Sequence, residues 1–413
     1  MYSQCRRRRR PSPVTRRVLA ALMIALVTSA GCRDAADSPT APEIEPSLAA
    51  TSVPFFRMVT AGGWHSCGVT TENVAYCWGL NTEGQLGDGT KTNRFRPRAV
   101  LGGLRFSDLS ASDLHTCGLT TDSLVYCWGR NASGQLGDGT LDRRLKPVKV
   151  GSRRYKQVNT GASHTCAVTG GNQVYCWGKN SFGQLGDGTT TRRLTPVAVA
   201  QYQFRLVSAG AAHTCGVTVT EHAYCWGDNA FGKLGTGTAD LRRLRPALVD
   251  GDLSFRQVSA GNAHTCGLTA DQQAYCWGGN SDGQLGDGTR TDRVLPHLVA
   301  GGRTYGQVKA AAAHSCGVAT DHEVFCWGDN FAGRLGIGTM VERRLVPTVV
   351  AGGLSVSGAD PGTSGSCANT TLHRAYCWGH NAYGQVGNGT NTGPEICAFN
   401  IPCGTKPVAV VGP

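Results

Sequence analysis

From about residue 54 to the C-terminus the chain is written in short runs of alternating apolar and polar residues, separated by turn residues. The second group of runs shows the pattern. Phe106–Ala111 (FSDLSA) and His115–Thr120 (HTCGLT) alternate with period two, the signature of half-buried strands. Thr121-Asp122-Ser123 reads as a three-residue turn. Residues 124–128 (LVYCW) read as a third strand, rich in branched and aromatic side chains. Residues 131–140 form a loop punctuated by glycine. Residues 147–150 (PVKV) are predicted as a fourth strand that opens on proline, where a missing N–H is tolerated.

This group recurs seven times, and each copy holds two cysteines ten residues apart: Cys67/Cys77, Cys117/Cys127, Cys166/Cys176, Cys215/Cys225, Cys266/Cys276, Cys316/Cys326 and Cys367/Cys377. The first cysteines follow one another at intervals of 49 to 51 residues. A period of that length marks a propeller, a solenoid or an array. Four strands make one blade, and seven units fit one closed ring. The expectation is an all-β, seven-bladed β-propeller with four-stranded blades over residues 54–413. The 57 glycines and the 16% of charged residues suit many short strands joined by tight turns.

If Cys117 stands opposite Cys127, then Leu119 stands opposite Val125. Opposed residues of an antiparallel pair have Cα atoms about 4.5–5.5 Å apart, within disulfide range. Seven such bonds are expected, with an eighth between Cys397 and Cys403. The competing reading is zinc, since His115, Cys117 and Cys127 would share a strand face. The seventh unit speaks against it: Cys367 and Cys377 are present, but Gly365 stands where the histidine belongs. No metal site is expected. The six histidines (His65, His115, His164, His213, His264, His314) then read as structural, bonded to neighbouring backbone. The tryptophan of each CWG triplet (Trp78, Trp128, Trp177, Trp226, Trp277, Trp327, Trp378) is expected to fill the space between blades.

The repeated loop holds further candidates. Asp88, Asp138, Asp187 and Asp287 occupy a GDG position that is Thr236, Ile337 and Asn388 elsewhere, so it is no obligatory calcium ligand. Arg94, Arg144, Arg193, Arg242, Arg293 and Arg343 fall four residues past a GT pair. They could form a ring for a polyanion; an ion pair between loops, repeated by symmetry, is the preferred reading.

The N-terminus has a different pattern. Residues 1–31 hold seven arginines and no acid, then an apolar core at residues 18–27 (VLAALMIALV) that is too short to span a bilayer. They read as a signal peptide. Residues 28–32 (TSAGC) resemble a lipobox with Ser29 in place of the usual leucine, so lipidation of Cys32 is expected. Residues 32–53 are rich in Pro, Ala and Ser and read as a lipid-anchored flexible tether. The expected location is the bacterial cell envelope, as an outer-membrane lipoprotein or a periplasmic or secreted protein, touching membrane through the N-terminal lipid only. Without these 31 residues the formal net charge of +12 falls by seven to +5, which demands no nucleic-acid partner.

The pattern HTCGLT…YCWGxNxxGQLGDGT…RxxPVxV resembles the repeat of the regulator of chromosome condensation, over residues 54–413. The resemblance implies a seven-bladed propeller. The paired cysteines depart from the nuclear version and look like an exported bacterial subfamily. The nuclear prototype promotes nucleotide exchange on a small GTPase and binds chromatin, and an exported chain would meet neither. A secreted bacterial relative that inhibits β-lactamases through loops on one face is the nearer analogy.

No phosphate-binding loop precedes a helix, no G-x-S-x-G elbow is present, and the acids are scattered singly. Neither an enzyme nor a cofactor is expected. The expected function is protein binding, as a scaffold or inhibitor-like module, by a monomer. The alternative is a lectin or hydrolase acting on cell-wall carbohydrate. Residues that differ between equivalent loops are the candidates for recognition: Trp64, Phe182, Phe231, Phe331 and Tyr383, the last four in the loop after WGxN. The seventh unit adds a loop from Thr390 to Pro407, ten residues longer than Thr140 to Pro147 and holding Cys397 and Cys403. It reads as a binding loop or as a device that closes the ring.

Overall fold

The computed structural model describes residues 53–413, apart from residues 200 and 239. The signal segment, Cys32 and all but the last residue of the tether lie outside the described residues. Seven antiparallel sheets follow one another along the chain, each built from consecutive strands. In blade one these are β1 (Phe56–Ala61), β2 (His65–Thr70), β3 (Ala75–Gly79) and β4 (Arg94–Ala99), in that spatial order. β1 and its six equivalents line a central channel, and the fourth strands form the exposed outer edge.

Each β2–β3 hairpin has the expected register. Cys117 faces Cys127 and Leu119 faces Val125, and the three-residue turn ends on a residue in the left-handed region, such as Ser123 at φ 68°, as three-residue hairpin loops require. All seven hairpin pairs are bonded. They are Cys67–Cys77, Cys117–Cys127, Cys166–Cys176, Cys215–Cys225, Cys266–Cys276, Cys316–Cys326 and Cys367–Cys377. Their Cα atoms lie 4.0–4.1 Å apart. That is slightly closer than the spacing expected of opposed strand residues. Cys397–Cys403 forms the eighth bond. The fourth strand departs from expectation. In blade two it runs over Arg144–Arg154 rather than starting at Pro147. Arg144 already pairs with Gly129 across a bulge, and an outer edge strand accepts proline because that edge is unpaired.

The core lies in the seams between blades rather than within them. Cys117, Leu119, Val125 and Cys127 of blade two pack on Tyr155, Val158 and Trp177 of blade three. The pattern repeats around the ring: Cys77 packs on Trp128, Cys176 on Trp226, Cys225 on Trp277, Cys276 on Trp327 and Cys326 on Trp378. Six seams share a histidine–hydroxyl–carbonyl chain, and at five of them the tryptophan joins it; Trp277 Nε1 alone finds no partner among the described residues. At the first, His65 Nε2 lies 2.8 Å from Thr116 Oγ1, Thr116 donates to the Gln85 carbonyl at 2.9 Å, and Trp128 Nε1 donates to the same carbonyl at 2.8 Å. The hydroxyl proton is committed to Gln85, so Nε2 of His65 carries the donated proton and the ring is neutral. The histidines thus bond a side-chain hydroxyl of the next blade, not backbone as the sequence suggested. Burial holds His65, His115, His164 and His264 down to about 3, and holds His213 and His314 well below their ordinary value.

The ring closes by direct packing of blade seven on blade one. Ser66 and Trp78 both donate to the Gln385 carbonyl at 3.0 Å, and the Ala61 amide donates to Asp360 at 3.1 Å. Gly365 supplies no imidazole, and a cavity of about 10 Å³ remains beside it, close to the smallest that can hold a water. The long loop of blade seven adds a short fifth strand, Glu395–Cys397, paired to Ile401–Ala409. Its disulfide packs on Ala332 of blade six. The loop therefore is not the closing device.

Candidate protein-binding face

In an antiparallel blade the first-to-second and third-to-fourth strand connections leave the sheet on the same side. Trp64 sits in the first kind of loop. Phe182, Phe231, Phe331, Tyr383 and the Cys397–Cys403 segment sit in the second kind. All of them share one face of the ring.

Their surroundings differ. Trp64 crosses the closing seam to meet blade seven, with its ring edge-on to Tyr383 at 5.7 Å and to His380 at 5.2 Å. Gln385 Nε2 donates to His380 Nδ1 at 2.9 Å. Burial, helped by the nearby Arg334 guanidinium, holds His380 below its ordinary value. Phe331 lies 6.2 Å from Phe399, the more exposed of the pair at 86%, and Arg334 stands 5.6 Å from the Phe331 ring. Phe399 and His380 were missed in the sequence. Phe399 lies within the stapled loop, and His380 fills the variable position of WGxN. Phe182 and Phe231 project singly, and Phe231 is 58% exposed. Phe331 is not the repeat equivalent of these two; Ala332 holds that position.

A repeated polar network shapes each supporting loop. Asn81 donates to Asp88 at 3.0 Å and to the Thr90 and Thr92 carbonyls at 3.1 Å, and it accepts from the Leu86 amide at 3.0 Å. Arg94 donates to Asp88 at 2.7 Å, and Asp138–Arg144, Asp187–Arg193 and Asp287–Arg293 repeat the pair. The ion pair thus lies within one loop, where the sequence suggested pairing between loops. Burial would raise the Asp88 carboxyl, but hydrogen bonds from Thr90, Arg94 and Asn81 outweigh it and hold the group below its usual range. Units four and six lack the aspartate and carry one more residue before the proline. Gly227 pairs with Arg243 and Gly328 with Arg344, so these two arginines, and not Arg242 and Arg343, are the equivalents of Arg94.

The same two units carry a paired replacement. Where five blades have glutamine after the loop glycine, blades four and six have Lys233 and Arg334. Each binds an aspartate at the variable WGxN position, Asp228 at 2.5 Å and Asp329 at 3.0 Å. The central channel holds a third charged group. Asp108 faces a cavity of about 290 Å³ shared with Lys309 and Asp360. Burial, partly offset by Lys309, pushes Asp108 up to about 6. Lys309 donates to Asp360 at 2.6 Å. Among the described residues no group of three or more His, Cys, Asp or Glu side chains is placed to hold a metal ion, and no helix is long and apolar enough to cross a membrane.

Seven blades, six of four strands and the seventh with a short fifth, built around loops of the GQLGDGT kind, define a propeller of repeated chromosome-condensation type. The RCC1-like domain profile matches residues 110–410, and the regulator of chromosome condensation (RCC1) repeat matches residues 72–119. The chain belongs to the RCC1-like β-propeller family. Among solved structures it is similar to yeast RCC1 (Prp20) bound by Kap60, at 21% identity and a TM-score of 0.68, covering 74% of this chain and 78% of that one. Prp20p from Saccharomyces cerevisiae, studied with its binding to Gsp1p and histones, gives 22%, 0.67, 75% and 80%. Human WBSCR16 gives 20%, 0.68, 74% and 83%. At these identities the likeness is one of fold. No curated protein sequence matches the chain.

Proposed function

We propose that this propeller is a protein-recognition module without enzymatic activity, working outside the cytoplasm and tethered to a membrane by lipid on Cys32. The observation that carries the binding reading is the row of exposed or half-exposed aromatics across blades six, seven and one: Phe331, Phe399, Tyr383 and Trp64. Aromatic anchors of this kind concentrate binding energy. The yeast relatives engage proteins, Kap60 in one case and Gsp1p and histones in the other, which supports the same use of the fold. Eight disulfides favour an oxidising compartment, and the basic and apolar N-terminal segment favours export to it.

The test is capture of a partner from native envelope, followed by titration of the purified pair. Trp64→Ala and Tyr383→Ala should each weaken binding by about 1–3 kcal/mol with the melting temperature nearly unchanged. Unchanged affinity in both, or saturable binding of small cell-wall glycans instead of protein, would reject the reading. Cys32→Ala should abolish membrane partitioning. An unmodified mature chain by intact mass would reject the lipid.

A further inference from the structure

The seams between blades one and two and between blades two and three differ at one position. At the first, Arg143 of blade two reaches back to Glu83 of blade one at 3.2 Å. At the second, Arg192 stands in the place of Arg143 and Ser133 in the place of Glu83. Arg192 leans over the seam in the same way, its Nη1 3.5 Å from the Ala132 carbonyl, but no carboxylate meets it. Beside it the variable WGxN positions supply Arg130 and Lys179. All three cations are exposed and line one cleft of about 540 Å³ with the hydroxyls of Ser133, Ser181 and Thr190. None of the three has an ion-pair partner among the described residues. Elsewhere on this face the equivalent variable positions are Leu80, Asp228, Gly279, Asp329 and His380, and the two acids are each paired within their own blade.

We infer that the cleft between blades two and three receives an acidic peptide segment of the partner, whose carboxylate takes the place that Glu83 fills at the neighbouring seam. The protein's own pair shows that this position accepts a carboxylate on a short side chain. Two further cations and three hydroxyls leave room for a second acid along the same segment. Guanidinium groups favour such partners through paired N–H donors. The inference rests on the protein-binding reading above and names the chemistry of what is bound.

The probe is a fluorescein-labelled octaglutamate peptide, titrated by fluorescence anisotropy at low salt against the mature protein. Saturable binding is expected, weakening as salt rises. Ser133→Glu rebuilds the pair of the first seam and should weaken binding about tenfold or more with an unchanged melting temperature. Arg192→Gln gives a second route to the same loss should Ser133→Glu disturb the loop. Absence of octaglutamate binding, equal affinity for both variants and the parent, or binding of inorganic phosphate or heparin in preference to the peptide would overturn the assignment. Because the peptide is defined, this outcome is independent of whether an envelope partner is captured: failed capture with intact peptide binding discards the aromatic face and keeps the cleft, and the reverse result discards the cleft alone.

Discussion

At the seam between blades one and two, His65 donates to Thr116, and Thr116 and Trp128 together grip the Gln85 carbonyl. At the seam between blades seven and one, Ser66 and Trp78 grip the Gln385 carbonyl in the same way, but no histidine stands behind them. The closing seam replaces that bond with others. Ser364 donates to the Gly63 carbonyl, and Asp360 accepts from the Ala61 amide while holding Lys309. The tryptophan and the hydroxyl are therefore what a seam requires. The histidine is an added brace whose place other polar contacts can take, and six of the seven seams carry a buried, bridging imidazole that the seventh lacks.

Acid should separate the two kinds of seam most strongly. The buried histidines are held far below their unfolded value of about 6.5, so the unfolded chain binds protons that the folded one refuses. Their contribution is fully present above pH 6.5 and is lost as pH falls from there toward about 3. At pH 5.5 the loss is roughly 1–2 kcal/mol for each histidine, summing to at most several kcal/mol for six acting together. The melting temperature should drop steeply between pH 7.5 and 5.0, and His264→Gln should soften the slope by about one sixth of that total. A flat profile over this range would show that the imidazoles are not buried neutral.

The next largest effect is common to both kinds of seam. Trp226→Ala and Trp78→Ala should each cost roughly 3–5 kcal/mol by denaturant titration, since both rings are fully buried between blades. If Trp78→Ala were much milder, the closing seam would be looser than its contacts indicate. A single methyl should reverse the comparison. A Cβ at Gly365 would meet the Trp378 carbonyl at 2.3 Å, so Gly365→Ala should destabilise by about 1–3 kcal/mol, although the other six seams hold a whole histidine there.

The smallest effect concerns the channel charges beside the closing seam. The Asp108 carboxyl is raised to about 6, so the contribution of its protonated form is present at low pH and lost as pH rises through 6. Asp108→Asn should raise stability by about 1 kcal/mol at pH 7.5, discounted for water in the channel, and leave it unchanged at pH 4. Destabilisation at pH 7.5 would mean that the carboxylate makes a bond worth more than its desolvation costs.

The fold was legible because each blade is encoded within fifty residues, and the cysteine spacing alone fixes the hairpin register. Legibility failed where partners sit one repeat away or where spacing slips by one. The histidines bond Thr or Ser of the following blade, and those residues stand in plain view just before the first cysteine of each repeat, yet nothing in a single repeat says which blade they serve. The arginine series was counted forward from GT. Counting back from the proline would have exposed the extra residue in units four and six and led to Arg243 and Arg344. The aromatic candidates were readable as departures from the repeat. The contact of Trp64 with Tyr383 was not, because it exists only once the first and last blades meet.

Among the described residues every disulfide joins cysteines six or ten residues apart, and none ties one blade to another. A length of gene encoding one unit therefore carries both halves of its own lock. Duplicating or deleting such a unit would orphan no thiol, and an emerging chain could oxidise each hairpin before the next one exists. Lineages built on this unit are free to change blade number by whole copies, and the constraint on them is the curvature of the ring rather than the bookkeeping of its cysteines.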